Sequence, residues 1–293
     1  MMGKLNELPN ELLLEVFEYI SCKDLLLNVR LVCSKFASII YASKLWNLKL
    51  KRLNISLPRC QTVEENFDVA RCCSAIENER NRWADDRLGK YVSITGHDAT
   101  VDAIRFVNTS AHRRLCITGA RDRSLILWDV DKIAMGDDSE NWNIGMITGA
   151  HQPNSPYLYS CSADRTVVCA DKRMWKSVHD LQLSAYAQSI SYCDGQLLCG
   201  TTDGNLILID PNDLTILSKM EVANISHIHQ VKLNKGSQMC LMRTPHFNIF
   251  TPGLKPSLMA RSGTLDAEPA RFDYFGGDLA ITCGGGSVLF WTK

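Results

Sequence analysis

Short segments rich in β-branched and aromatic residues recur at a nearly constant interval through the last two thirds of this 293-residue chain. Their aligned ends are separated by 42, 39, 41 and 41 residues. These ends fall at Trp128, Ala170, Ile209, Phe250 and Trp291. Because an interval near 40 residues is typical of a four-stranded propeller blade, the period predicts five blade-like units.

The first unit carries paired signature residues at both of its ends. It begins with Gly96-His97-Asp98 and closes with Leu127-Trp128-Asp129, and in this it resembles a WD repeat. The resemblance implies a buried chain of hydrogen bonds that links a turn to a strand. Its members in the first unit are His97, Thr118, Asp122 and Trp128, and the second unit matches with His151, Ser160 and Asp164.

A histidine and an aspartate in such a chain also suit acid–base catalysis. We favour the structural role, because a polar chain of this kind satisfies buried groups and stabilises a blade. The sequence contains no nucleophile elbow, metal-ligand set or nucleotide-binding loop. No catalytic residue is therefore predicted.

Two irregularities in the sequence bear on whether the blades close into a complete propeller ring. His97 precedes Asp122 by 25 residues, whereas His151 precedes Asp164 by only 13, so the second unit is expected to lack a strand. The prolines in that stretch disfavour a compensating inner strand, because proline cannot donate a hydrogen bond to a central ladder. Only two residues follow Trp291, so the outer strand of the last blade is expected to come from residues 91–94.

The N-terminal fifty residues are instead predicted to form three short helices. Apolar residues recur at helical spacing from Leu12 to Ile20, and Ser21 with Asp24 resembles a capping box before a second helix. A third helix is expected to run from Val32 to near Trp46. A unit this small cannot bury all of its apolar residues, so part of its surface must contact a partner or a neighbouring domain.

The run Leu8-Pro9-x-Glu11-Leu12-Leu13 and the later Leu31-Val32-Cys33-x-x-Phe36 resemble an F-box. Together with the WD repeats, they resemble the F-box/WD-repeat family of substrate receptors in SCF-type ubiquitin ligases. The resemblance implies docking onto the Skp adaptor, which holds the cullin and RING subunits. The residues expected to contact the adaptor are Leu8, Pro9, Leu12, Leu13, Val16, Phe17, Ile20, Leu25, Leu31, Val32 and Cys33. Alternatively, the same residues form the core of an ordinary helical cap.

The predicted fold is therefore an α+β multidomain chain with three parts. Residues 1–52 form the F-box, residues 53–90 a helical linker and residues 91–293 an all-β WD-repeat propeller with five recognisable blades, one of them truncated. The linker segment carries spaced apolar residues among charged ones and no flexible Gly/Ser run, so we expect a stiff connection.

Charge and cysteine content exclude several classes of function. Lys plus Arg and Asp plus Glu are 32 each, so no long-range field favours nucleic acid or anionic membranes. The twelve cysteines are scattered without a Cys-x-x-Cys pair, and His227-Ile228-His229 has no third ligand at useful spacing. We expect a cytoplasmic or nuclear protein, with buried free thiols and no metal or cofactor.

The expected function follows from these parts. The chain is predicted to capture a protein target on the propeller for ubiquitination and to leave the chemistry to its partner subunits. Arg121, Arg123 and Arg165 lie beside turns of the first two blades, where they can meet an acidic or phosphorylated target. The alternative is a WD-repeat scaffold without ligase function.

Overall fold

The computed structural model shows a helical N-terminal part followed by antiparallel sheets. It describes residues 5–57, 68–84, 91–108, 114–120, 125–134, 156–161, 165–171, 173, 176–222, 227–243, 246–265 and 267–291. In that part of the chain no helix is long and apolar enough to cross a membrane.

The described residues 5–57 contain four α-helices, where the sequence predicted three short helices. A 3₁₀ turn, Leu5–Glu7, precedes the first helix, and a second one, Val29–Leu31, follows the second helix. The helices are α1 (Asn10–Tyr19), α2 (Cys22–Leu27), α3 (Ser34–Tyr41) and α4 (Ser43–Arg52).

The predicted third helix is divided because the backbone of Ala42 is extended, with ψ of 133°. The indole N–H of Trp46 donates a 2.7 Å hydrogen bond to the carbonyl of Ile40, one of the groups left without a partner at the end of α3. Val32 and Cys33 lie before α3 rather than on it. The predicted cap at Ser21 is confirmed, since its hydroxyl accepts a 3.0 Å hydrogen bond from the amide of Asp24.

A fifth helix, α5 (Val69–Arg82), packs against this helical core. Its residues Cys72, Cys73 and Ile76 are buried among the side chains of α1 to α4. The side chain of Asp68 caps α5 by accepting hydrogen bonds from the backbone amides of Ala70 and Arg71, at 3.0 and 3.2 Å. We call α1 to α5 the helical module.

The described strands form five sheets, which we number as blades in chain order. Blades 1 and 2 have three described strands each. Blade 1 has β2 (Val101–Asn108), β3 (Arg114–Ala120) and β4 (Leu125–Asp129), and the short helix α6 (Val130–Ala134) follows it. Blade 2 has β5 (Tyr157–Cys161), β6 (Thr166–Asp171) and β7 (Lys176–Gln182). Blade 3 has β8 (Ala187–Cys193), β9 (Gln196–Thr201), β10 (Asn205–Ile209) and β11 (Ile216–Glu221). Blade 4 has β12 (Ile228–Leu233), β13 (Gln238–Met242), β14 (Phe247–Phe250) and β15 (Leu258–Arg261).

Blade 5 is completed by a strand from the start of the β region. It consists of β16 (Pro269–Phe275), β17 (Asp278–Cys283), β18 (Ser287–Trp291) and β1 (Val92–Thr95). Strand β1 pairs antiparallel with β18, and Ile94 lies opposite Val288. The prediction that residues 91–94 supply the outer strand of the last blade is confirmed.

The shortened second unit corresponds to blade 2. Within the described residues this sheet begins with β5, which pairs with β6, the strand that carries the aligned position Ala170. Residues 135–155 lie outside the described residues, so the missing inner strand stays a prediction.

The inner strands of neighbouring blades are held together by hydrogen bonds between residues 42 positions apart. The hydroxyl of Ser189 accepts from the amide of Val231 at 3.1 Å. The side chain of Gln230 donates to the carbonyl of Phe272 at 2.9 Å and accepts from its amide at 2.8 Å. The sequence period is therefore also the register of the inner strands.

The helical module contacts one end of the propeller. The turn between β12 and β13 meets α5, where a Cβ on Gly236 would lie 2.6 Å from the carbonyl oxygen of Ala75. The turn between β14 and β15 donates a 3.1 Å hydrogen bond from Leu254 to the carbonyl of Ser56. We call this the helix-facing end. Because consecutive strands are antiparallel, the β13–β14 and β17–β18 turns lie at the opposite, far end.

Candidate protein-binding surfaces

Exposed apolar side chains are concentrated on the helical module. Leu12 and Val16 are 45% and 42% exposed, and their spacing of four residues puts them on one face of α1. Leu31 and Val32, between α2 and α3, are 74% and 67% exposed. Large apolar side chains that are exposed in so small a module are typical of a protein contact. We call these four residues the apolar face.

Three residues predicted to contact the adaptor are instead internal. Leu13, Phe17 and Leu25 are at most 2% exposed, and the rings of Phe17 and Phe36 pack edge to face at 5.1 Å. These side chains hold α1, α2 and α3 together, which leaves them unavailable to an external partner. For them the alternative core role replaces the predicted adaptor contact.

The remaining predicted residues border the apolar face. Leu8, Ile20 and Cys33 are half-buried and pack against the helical core, whereas Pro9 is exposed. The ammonium of Lys35 donates a 2.6 Å hydrogen bond to the carbonyl of Leu8. This bond ties the start of α1 to the start of α3, so the two parts of the apolar face are presented from a fixed framework.

The described part of the WD-repeat network is assembled as predicted. The hydroxyl of Thr118 lies 2.8 Å from His97 Nε2 and accepts a 2.8 Å hydrogen bond from the indole N–H of Trp128. All three side chains are buried. Asp122, His151 and Asp164 lie outside the described residues, as does the side chain of Ser160.

Two family models match the chain: F-box-like over residues 5–49, and WD domain, G-beta repeat, over residues 89–129. F-box/WD repeat-containing protein mec-15 of Caenorhabditis elegans is 24% identical over an alignment of 391 positions. The alignment covers 98% of this chain and 96% of the relative. The relatives of this chain include F-box/WD repeat proteins. The predicted F-box and WD-repeat propeller organisation is confirmed.

Two human F-box proteins are also similar. F-box/WD repeat-containing protein 9 is 28% identical over 218 residues, which cover 70% of this chain and 46% of the relative. F-box only protein 44 is 45% identical over 51 residues, 17% of this chain and 20% of the relative. The chain thus spans nearly all of mec-15 but about half the length of F-box/WD repeat-containing protein 9.

The F-box and the propeller are joined through a carboxylate on α5. The hydroxyl of Tyr274, in blade 5, donates a 2.7 Å hydrogen bond to Glu79. The indole N–H of Trp83 donates to the other oxygen of that carboxylate at 2.8 Å. Trp83 is itself buried in the core of blades 4 and 5. The predicted linker contributes to both cores, which its amphipathic pattern alone did not reveal.

Only one of the three predicted target-binding arginines is described. Arg165 is exposed at the turn between β5 and β6, where its φ of 72° lies in the left-handed region. That turn belongs to the far end of the propeller. Arg121 and Arg123 lie outside the described residues, and the role of all three arginines in target binding stays a prediction.

The described cysteines are free thiols, and most are buried. Burial is the main cause that raises the pKa of Cys22 to about 12 and that of Cys72 to about 11. Within the described ranges, no group of three or more His, Cys, Asp or Glu side chains is arranged to hold a metal ion.

Proposed function

We propose that this protein is a substrate receptor of an SCF-type ubiquitin ligase. In this proposal the F-box binds a Skp adaptor, the adaptor joins the chain to cullin and RING subunits, and the propeller binds a target protein for ubiquitination. The supporting observation is the exposed apolar face in the segment that matches the F-box model. Such a complex would act in the cytoplasm or the nucleus.

The energetics of the apolar face favour a protein partner. Covering one large aliphatic side chain contributes roughly 1.5–3 kcal/mol when burial is complete. The four residues are already partly covered, so each contributes less, but together they form the apolar centre that a stable interface needs. The surrounding polar side chains would make the rim.

The contact through Glu79 suits a receptor that works by proximity. A ubiquitin ligase accelerates transfer by holding the target near the enzyme that carries ubiquitin, and this needs a defined distance between the two binding surfaces. Because α5 is packed into the F-box core and Trp83 into the propeller core, the two parts are held in one arrangement. The chain itself contributes no catalytic group in this proposal.

The proposal is tested by capture of the adaptor and cullin on the purified chain. A Leu12→Asp/Val16→Asp variant places two charges on the apolar face without entering the core, and we expect it to lose both partners. A matched Ile216→Asp/Leu258→Asp variant alters two propeller residues of similar exposure, 48% and 47%, and should retain both.

Two results decide between receptor and scaffold. Loss of adaptor and cullin in the α1 variant alone supports the receptor. If the unaltered chain captures neither subunit, or if the α1 variant captures them equally well, the ligase proposal is wrong and the non-catalytic scaffold is the better account.

A further inference from the structure

A group of histidines and arginines lies at the far end of the propeller, where blades 4 and 5 meet. Blade 4 contributes the start of β12 and the β13–β14 turn, and blade 5 contributes the start of β16. The members are His227, His229, Arg243, His246, Glu268 and Arg271. We call this group the far-end cluster; none of its residues belongs to the WD-repeat network or to the predicted arginine set.

Backbone contacts hold the far-end cluster together. The amide of Arg243 donates a 2.8 Å hydrogen bond to the carbonyl of His227, and a guanidinium N–H of Arg271 donates to the carbonyl of His229 at 3.3 Å. The second bond crosses from blade 5 to blade 4. The cluster is therefore a feature of the blade junction and not of one loop.

Two imidazole nitrogens in the far-end cluster are buried without a hydrogen-bond partner among the described residues. They are Nε2 of His229 and Nδ1 of His246. Buried polar atoms are nearly always paired in folded proteins, so these two nitrogens are exceptions within the far-end cluster. Burial, with the guanidiniums of Arg271 and Arg243, lowers the pKa of His229 despite the opposing charge of Glu268.

The charge of the far-end cluster is positive but small. Among the described residues of the cluster, two guanidiniums face one carboxylate. The ion pair between Arg243 and Glu268 is loose, at 3.9 Å, and the two side chains are 63% and 69% exposed. A pair this exposed is worth little, so Arg243 is available to another anion. The modest excess of positive charge suits carboxylates better than a phosphate monoester, which carries nearly two negative charges at neutral pH.

We propose that the far-end cluster binds an acidic segment of the target protein, with aspartate or glutamate side chains laid across the junction of blades 4 and 5. Arg243 and Arg271 pair with the carboxylates, and His229 and His246 lie beneath the two guanidiniums. Glu268 limits the affinity for more highly charged groups. This inference rests on the proposed role of the propeller in target binding.

The test measures fluorescence anisotropy of a labelled peptide with alternating Glu and Gly residues, against the same peptide with Gln or phosphoserine in place of Glu. The full chain should bind the Glu peptide and not the Gln peptide. An Arg243→Gln/Arg271→Gln variant should bind at least roughly tenfold more weakly, as expected for the loss of two charge-assisted contacts. Arg71→Gln, on the exposed surface of α5, is the matched control and should bind normally.

Glu268→Gln separates a binding role from a structural one. Removal of this carboxylate should tighten binding of the Glu peptide severalfold, an effect that local damage to the fold does not produce. Equal binding of the Glu and Gln peptides, unchanged binding by the double arginine variant, or a strong preference for phosphoserine would overturn the proposal. Adaptor capture is measured on the same samples. If the chain captures the adaptor but does not bind the Glu peptide, this inference alone is wrong. If it binds the Glu peptide but does not capture the adaptor, this inference is supported and the ligase proposal is wrong.

Discussion

The hydroxyl of Tyr274 and the carboxylate of Glu79 are joined by a 2.7 Å hydrogen bond between blade 5 and α5, residues 195 positions apart in the chain. Burial, followed by the charge of Glu79, raises the pKa of Tyr274 well above its usual value, so the tyrosine stays the donor at every physiological pH. This bond therefore adds to the backbone contact between Leu254 and Ser56 in connecting the helical module to the propeller.

Replacement of Tyr274 with phenylalanine should destabilise the folded chain without a loss of packing. A hydrogen bond to a charged group contributes about 1.5–3 kcal/mol, and we expect a decrease of that size in the free energy of unfolding in urea. Tyr186→Phe, at a tyrosine that is 43% exposed, is the control and should change stability little. Equal effects of the two substitutions would show that the bond to Glu79 is not stabilising.

Replacement of two neighbouring leucines on α1 should change the free energy of unfolding by very different amounts. Leu13 is fully buried, so Leu13→Ala should lower the unfolding free energy by about 2–5 kcal/mol, because it leaves a cavity in the helical core. Leu12→Ala should change it by less than about 0.5 kcal/mol, since that side chain is substantially exposed. Equal losses of stability, measured in urea, would contradict the assignment of Leu12 to a binding surface.

The hydroxyl of Thr118 should contribute more to the stability of the fold than its methyl group does. Thr118→Val keeps the shape but leaves His97 Nε2 and the indole N–H of Trp128 without their shared partner, at a cost of about 1–3 kcal/mol for each buried group left unpaired. The melting temperature should fall clearly. Thr95→Val, at an exposed position of β1, is the control, and a similar fall there would argue against a stabilising network.

The buried thiols should resist alkylation in the folded state. The pKa of Cys22 is raised from 9.0 to about 12, so its thiolate fraction at pH 8 falls about a thousandfold. Because the thiolate is the reactive form, iodoacetamide should label Cys22 and Cys72 slowly in buffer and quickly in urea. Peptide mass spectrometry gives both rates, and fast labelling in buffer would mean that α2 or α5 opens readily.

Much of the β part could be predicted because its period is both a sequence property and a packing property. The strand ends near Trp128 and Trp291 follow from the spacing, and the same spacing sets the bond between Gln230 and Phe272. The outer strand at residues 91–94 was predicted from the need to cover an open sheet edge.

The helical part was harder to predict for a physical reason. Helical periodicity identifies apolar positions but does not say which of them face the core, so Leu13 and Leu12 could not be told apart. The break at Ala42 was missed because neither glycine nor proline marks it. The far-end cluster was missed because its members are distant in sequence and meet only when blades 4 and 5 are placed side by side.

Helix α5 also fixes the separation between the F-box core and the propeller core. Ile76 is buried with the F-box helices and Trp83 with the propeller, seven residues further on. Seven residues make close to two helical turns, a rise of about 10 Å with almost no change of facing direction. One inserted residue would rotate the two anchors apart by about 100°, since each turn holds about 3.6 residues. The distance between the F-box core and the propeller core is therefore adjustable only in steps that restore the helical phase.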